Sequence, residues 1–193
     1  MSASRIHFRS FSLCFCVALL MVPAVHARAE VPELSVEPSL WQRAAGGLKS
    51  TWQSDRTELY IPLYTWHNRS KYSAEKIAGY NENPWGLGGG KSRVDADGNW
   101  HALYAMVFMD SHNRLEPIAG YAYQKIWRPT ENWRIGAGVT AGVTARSDYR
   151  YLPLPVVLPI ASLEYKRVAL QGTYIPGGNG NGNVLFTWLR WRF

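Results

Sequence analysis

Cysteine is nearly missing from this chain. Its two copies, Cys14 and Cys16, both lie in an apolar leader, so residues 28–193 carry none. A disulfide framework is thereby excluded from that part. Long apolar runs are also missing. Beyond the leader none approaches 18 residues, which rules out spanning helices. Charge is sparse too: 18% of residues are Asp, Glu, Lys or Arg, against about 25% in ordinary soluble domains. No metal-ligand cluster, nucleic-acid motif or phosphate-binding glycine motif stands out. "GLGGGK", Gly86 to Lys91, lacks the P-loop spacing. The sequence therefore predicts no metal and no cofactor.

The leader, residues 1–27, has the build of an export signal. Arg5 and Arg9 precede an apolar stretch from Phe11 to Val22, and Val25-His26-Ala27 is a small-x-small cleavage site. Neither cysteine sits at that site, so a lipoprotein anchor is not expected. The net charge is +7, two units of it from the leader. An exported basic chain meets phosphate on lipid rather than on nucleic acid. Nine Trp and eleven Tyr alongside few charges suit a membrane interface.

What the chain has in place of apolar runs is alternation. Segments 57–67, 84–95, 99–110, 115–128, 132–146, 151–163, 167–175 and 183–193 read as strands. Their lengths centre on the ~10 residues that a tilted strand needs to cross a bilayer. Ala96 to Gly98 is a tight turn, and Gly177 to Asn183 a flexible loop. Eight strands can close, and lipid tolerates no open edge. The expected fold is all-β: an eight-stranded antiparallel transmembrane β-barrel over residues 57–193. A lipocalin-like soluble barrel is the competing architecture. Aromatics at the strand ends (Tyr60, Tyr64, Trp66; Trp127, Trp133; Trp188, Trp191, Phe193) favour the membrane.

After an extension, residues 28–38, residues 39–53 predict a helix. Leu40, Trp41, Ala44, Ala45, Leu48 and Trp52 share one face, with Arg43 and Lys49 off it. Such a helix lies in the membrane interface, or else caps a barrel mouth.

Counting strands places the polar residues. With the helix at one end, strand one finishes at His67 and strand three at Asp110-Ser111, both at the opposite end. Arg69, Lys71, Lys76, Arg114, Arg146 and Arg150 join that rim as a cationic collar, while His101 falls at the helix end. A histidine beside a carboxylate and a hydroxyl can serve acyl transfer. Asp110-Ser111 is equally a common turn dipeptide. Composition alone does not choose, and shared placement names no reaction.

The strings "LYIPLYTWH", "YNENPWG", "GNWHALYAMVFMDS", "EPIAGYAY", "TAGVTAR", "YLPLPVVLPIAS", "TYIPG" and "NGNV" resemble, in order from about Leu40 to Phe193, the PagP family of outer-membrane lipid A palmitoyltransferases. The resemblance implies a barrel with an amphipathic N-terminal helix. It implies an enzyme of the outer membrane of a Gram-negative cell, with its active site facing outward. A glycerophospholipid would donate its sn-1 acyl chain. The acceptor would be the hydroxyl of the N-linked hydroxyacyl chain on the proximal glucosamine of lipid A in lipopolysaccharide. A homodimer stays open.

Carried over by motif, the catalytic residues are His67, Asp110 and Ser111, and lipopolysaccharide recognition falls on Lys76. His67 would be the base, Asp110 would orient or polarise the site, and Ser111 would be either oxyanion donor or nucleophile. Prolines mark two lateral gaps for lipid entry, Pro62 with Pro84 and Pro159 with Pro176. Two residues depart from the family. Ala122 stands where the acyl-chain floor is usually Gly, which predicts a chain somewhat shorter than palmitate. Asn179 falls at an aromatic phospholipid-gating position. His112 matches no family motif and reads as a loop residue. The rival functions are a lipid A deacylase and a non-catalytic structural or adhesion barrel.

Overall fold

The computed structural model describes residues 39–179 and 181–193. The leader and the extension to residue 38 lie outside the described residues. A helix, α1 (Leu40–Trp52), precedes eight strands: β1 (Arg56–His67), β2 (Gly86–Val94), β3 (Trp100–Met109), β4 (Leu115–Trp127), β5 (Trp133–Ala145), β6 (Pro153–Tyr165), β7 (Val168–Ile175) and β8 (Val184–Arg192). Each strand pairs antiparallel with the next, and β8 pairs with β1, so the sheet closes. A short helix, α2 (Ala74–Ala78), interrupts the long β1–β2 loop. Among the described residues no helix is long and apolar enough to cross a membrane.

Two strands start two residues later than the sequence suggests. β2 begins at Gly86 rather than 84, and β6 spans 153–165 rather than 151–163. The cause at β6 is local. Arg150 and Tyr151 both take positive φ (54° and 59°) and belong to a turn, so extended structure resumes at Pro153. A first strand position suits Pro, which has no N–H to donate.

Alternation sorts the strand residues into two environments. Ile61, Leu63, Leu87, Val107, Ile135, Val139, Val143, Val157 and Leu163 point outward and stay exposed. Trp127, Trp133, Tyr165, Trp191 and Phe193 fringe that band at the α1 end. An exposed apolar band with an aromatic girdle is the surface of a barrel in lipid, not in water. α1 agrees: a Ser39–Gln42 capping box starts it. Trp41 is 85% exposed and Trp52 70%, while Thr51 turns inward to accept a hydrogen bond from Arg93 at 3.0 Å.

Glycine serves close approach here. A Cβ on Gly138 would sit 2.0 Å from the Tyr123 carbonyl oxygen, so β4 and β5 can pack this tightly only without one.

The interior is layered. Tyr60, Trp100, Ala102, Met106, Ala122, Ile160, Phe186 and Trp188 form a buried apolar middle. Below it, toward α1, Gln124 accepts from Ser162 (3.0 Å) and Gln171 (3.2 Å), and Trp188 donates to Gln171 (3.0 Å). Lower still, Arg190 lies between Glu164, to which it donates, and Glu58, 3.7 Å away. Arg190 also stacks on Trp100 at 4.5 Å.

Arg190 is 2% exposed, and Glu58 and Glu164 are buried beside it. Arg190→Leu should therefore destabilise the barrel by about 3–5 kcal/mol, since it takes the cation from buried Glu58 and one of three arginines from Glu164. Urea unfolding in detergent micelles checks this.

Candidate active site

The two ladders that stop short decide where lipid-facing wall gives way to loop. β1 pairs with β2 only from Arg56↔Ser92 to Tyr60↔Gly88. β6 pairs with β7 only from Ile160↔Thr173 to Tyr165↔Val168. Beyond these points Pro62 and Pro84 flank one unpaired stretch, and Pro159 and Pro176 the other. Pro62 also begins a bulge against β8, where Leu63 has no Cα partner.

The unpaired end of β1 still has donors to satisfy. The loop supplies the acceptors. Thr65 N–H donates to the Glu82 carbonyl (2.9 Å), and His67 N–H donates to Glu82 Oε1 (3.1 Å). One residue back, Asn81 N–H donates to the Ser111 carbonyl (2.8 Å). Segment 80–82 thus bridges the end of β1 and the turn after β3.

His67 and Ser111, forty-four residues apart, meet at this bridge. Ser111 Oγ is 2.9 Å from His67 Nε2. Glu82 Oε1 is 3.0 Å from His67 Nδ1. Arg69 forks onto Glu82 with 2.6 Å bonds to each oxygen, and Tyr64 OH donates to Oε2 at 2.9 Å. The Arg69 fork holds the Glu82 carboxyl well below its ordinary range, aided by the His67 bonds and opposed by burial. An ionised carboxylate only accepts, so the proton between it and the ring belongs to Nδ1. Nε2 is then the acceptor for the Ser111 hydroxyl. Tyr80 stacks on the imidazole at 4.6 Å, Tyr72 meets it edge-on at 5.4 Å, and the ring is 2% exposed.

Asp110 does something other than orient the histidine. Its Oδ1 accepts from the His112 and Arg114 amides, both at 2.8 Å, which closes the β3–β4 turn with Asn113 at φ 58°. Its buried Oδ2 has no hydrogen-bond partner among the described residues. The carboxylate on His67 is Glu82, an acid the sequence reading did not single out. The cause is the late start of β2, which leaves a loop acid, rather than the acid after β3, against β1. Glu82 lies in the quoted string "YNENPWG", but spacing alone gives no sign that the loop folds back. The collar is also partly neutralised from within. Arg69 pairs with Glu82, and Arg146 lies 3.4 Å from both Glu116 and Asp148.

A cavity of about 330 Å³ runs down from this rim, walled by His67, Ser111 and Asp110 above and by Phe108, Phe186 and Ala122 below. His112 also lines it, with its ring 5.3 Å from Tyr80, so this loop residue lies against the site. Lys76 is on α2 with its Nζ 5.6 Å from the Tyr72 ring. Asn179 is exposed in the β7–β8 loop, and Asn181 and Gly182 line the cavity instead. His101 is bonded to Asp95 (2.9 Å) and Tyr121 (2.6 Å) at the α1 end, away from the site.

Residues 47–190 match the family described as "Antimicrobial peptide resistance and lipid A acylation protein PagP". The chain belongs to the PagP family. It is 64% identical over 155 residues to the lipid A acyltransferase PagP of Laribacter hongkongensis, covering 80% of this chain and 75% of that protein. It is 52% identical over 200 residues to the same-named protein of Yersinia enterocolitica (97% and 98% covered). With that of Serratia proteamaculans it shares 51% over 187 residues (92% and 95%).

A lowered folded-state carboxyl pKa gives stability that is complete above the unfolded value, about 4.3, and lost as pH falls through the folded one. The His67 amide bond to Glu82 should accordingly persist below pH ~4. Arg69→Gln should move its loss to higher pH. An NMR titration of the His67 amide proton checks both.

Proposed function

We propose that this chain is an outer-membrane acyltransferase. It moves the sn-1 acyl chain of a glycerophospholipid to the hydroxyl of the N-linked hydroxyacyl chain on the proximal glucosamine of lipid A. The observation that carries the reading is the Ser111 Oγ–His67 Nε2 bond at the mouth of an apolar cavity. Family membership and relatives named lipid A acyltransferase support it. The rim faces outward in this reading, where lipopolysaccharide is, and Lys76 on that rim contributes to lipopolysaccharide recognition. Lipids enter through the wall at Pro62/Pro84 and at Pro159/Pro176, with Asn179 beside the second opening.

The chemistry runs in two ester exchanges. His67 Nε2 takes the Ser111 proton, and Oγ attacks the sn-1 ester carbonyl. The tetrahedral intermediate collapses, and the lysophospholipid oxygen leaves with the proton from His67. The lipid A hydroxyl then gives its proton to His67 and attacks the acyl-Ser111 carbonyl. Ser111 leaves and recovers that proton. One ester replaces another, and no cofactor takes part. Asp110 holds the turn that aims Ser111, and its remaining oxygen faces the substrate.

The cavity depth supports a long chain. Ala102, cross-strand from Ala122, lies eight residues along β3 from Asp110. At ~3.3 Å per residue and a ~40° tilt this is about 20 Å along the barrel. Bonds of ~1.5 Å at tetrahedral angles advance an extended chain roughly 1.25 Å per carbon, so about 16 carbons fit at most. The Ala122 methyl takes the last of that space.

Ser111→Ala and His67→Ala should each lower transfer by roughly 10³-fold or more. Acyl-Ser111 should be trappable by rapid quench and peptide mass spectrometry when acceptor is withheld. A direct, one-step transfer would leave Ser111 unmodified, and a lipid A mass that falls would mark a deacylase instead.

Lipid A from cells carrying this protein should gain a chain somewhat shorter than palmitate. Ala122→Gly should lengthen the product by roughly one methylene, the volume its methyl vacates. Product masses decide, and strict C16 addition by the unaltered chain would overturn the floor assignment.

A further inference from the structure

Glu82 does more at this site than tie down a loop. A single oxygen, Oε1, accepts from both the backbone N–H and the ring Nδ1 of His67. Those two bonds together fix the imidazole's rotamer and its protonated nitrogen. The carboxylate itself cannot swing, because Arg69 holds both its oxygens and Tyr64 holds one. Tyr80, two residues before Glu82, covers one face of the ring. The loop's attachment does not depend on the carboxylate. The Thr65 amide bonds the Glu82 carbonyl, and the Asn81 amide bonds the Ser111 carbonyl.

We propose that Glu82 is a positioning residue for the acyl-transfer base: it holds His67 in the tautomer that leaves Nε2 free to take the Ser111 proton. The assignment rests on the acyl-transfer reading above. Arg69 and Tyr64 act one step further out, as the clamp that keeps Glu82 ionised and aimed. Without the carboxylate, the ring is free to put its proton on Nε2, and that form cannot deprotonate Ser111.

Glu82→Ala and Glu82→Gln are compared with the unaltered protein, all folded in detergent micelles. The assay follows transfer from a phosphatidylcholine donor to lipid A. Both variants should lower kcat by roughly 10²-fold or more while KM for the phospholipid changes less than about threefold. The ¹⁵N spectrum of His67 should show a protonated Nδ1 in the unaltered protein and a population with protonated Nε2 in Glu82→Ala. Heat-shifted migration on gels verifies that the variant barrels are folded. Unchanged kcat in folded variants overturns the proposal. So does a rise in KM alone, which would leave Glu82 as a loop tie, and so does an unchanged His67 tautomer. His67→Ala distinguishes the two levels. If it retains transfer, the acyl-transfer reading fails and takes this proposal with it. If it is inactive while the Glu82 variants are not, only the role of Glu82 falls.

Discussion

Lipid offers the backbone no hydrogen-bond partner, and nearly every feature of this barrel follows from that. The sheet closes from β1 to β8 because an open edge in hydrocarbon would leave a row of donors and acceptors unmet. Where the ladder does break, something has to replace it. Pro62 removes one donor outright. At Thr65 and His67 the replacement is Glu82, through its carbonyl and its carboxylate. The break in the wall and the construction of the site are thus one event. β1 loses β2 as a partner, and the acid that satisfies the orphaned amides is the acid bonded to the imidazole.

The same economy of polar groups orders the interior. An apolar channel in the middle of a barrel needs a bottom. Here it is built from groups that satisfy one another: Gln124 with Ser162 and Gln171, then Arg190 with Glu58 and Glu164. A hydrocarbon tail gains nothing by pushing into that layer, since it would part hydrogen bonds that it cannot replace. On the proposed acyl-transfer reading, this layer would limit chain length by polarity, beside the volume of the Ala122 methyl.

Much of this was legible in the sequence. Period-two alternation located eight strands, because each faces lipid on one side and a packed interior on the other. Strand counting brought His67 to the rim of Asp110 and Ser111, since antiparallel connection leaves no other choice. The amphipathic face of α1 was visible in Leu40, Trp41, Leu48 and Trp52. What was not legible came from the irregular parts. The turn at Arg150 and Tyr151 moved β6 by two residues, and no pattern in the sequence marks those positive φ values. The return of segment 80–82 onto β1 is a tertiary contact inside a long loop, so Glu82 looked like any loop acid. Asp110 was expected to orient or polarise the site because it neighbours Ser111. Its geometry shows that its nearest obligations are the amides of its own turn.

Burial of the imidazole also bears on which reaction wins. Acyl transfer and hydrolysis differ only in the hydroxyl that receives the chain, and water is always the more abundant one. A site that transfers must keep water from the reacting carbonyl while admitting a lipid hydroxyl. His67 is closed in by Tyr72 and Tyr80, with Glu82 behind it and Ser111 before it. Its Nε2 meets Ser111 Oγ at the mouth of the apolar cavity that both residues line. On the proposed reading, an acyl chain in that cavity would leave its carbonyl open to an acceptor arriving from the rim. Ester for ester leaves no energetic deficit for a cofactor to cover. On the proposed reading the protein's task is then geometry: a fixed tautomer, an apolar channel and lipid entry at the two places where the strand ladder stops.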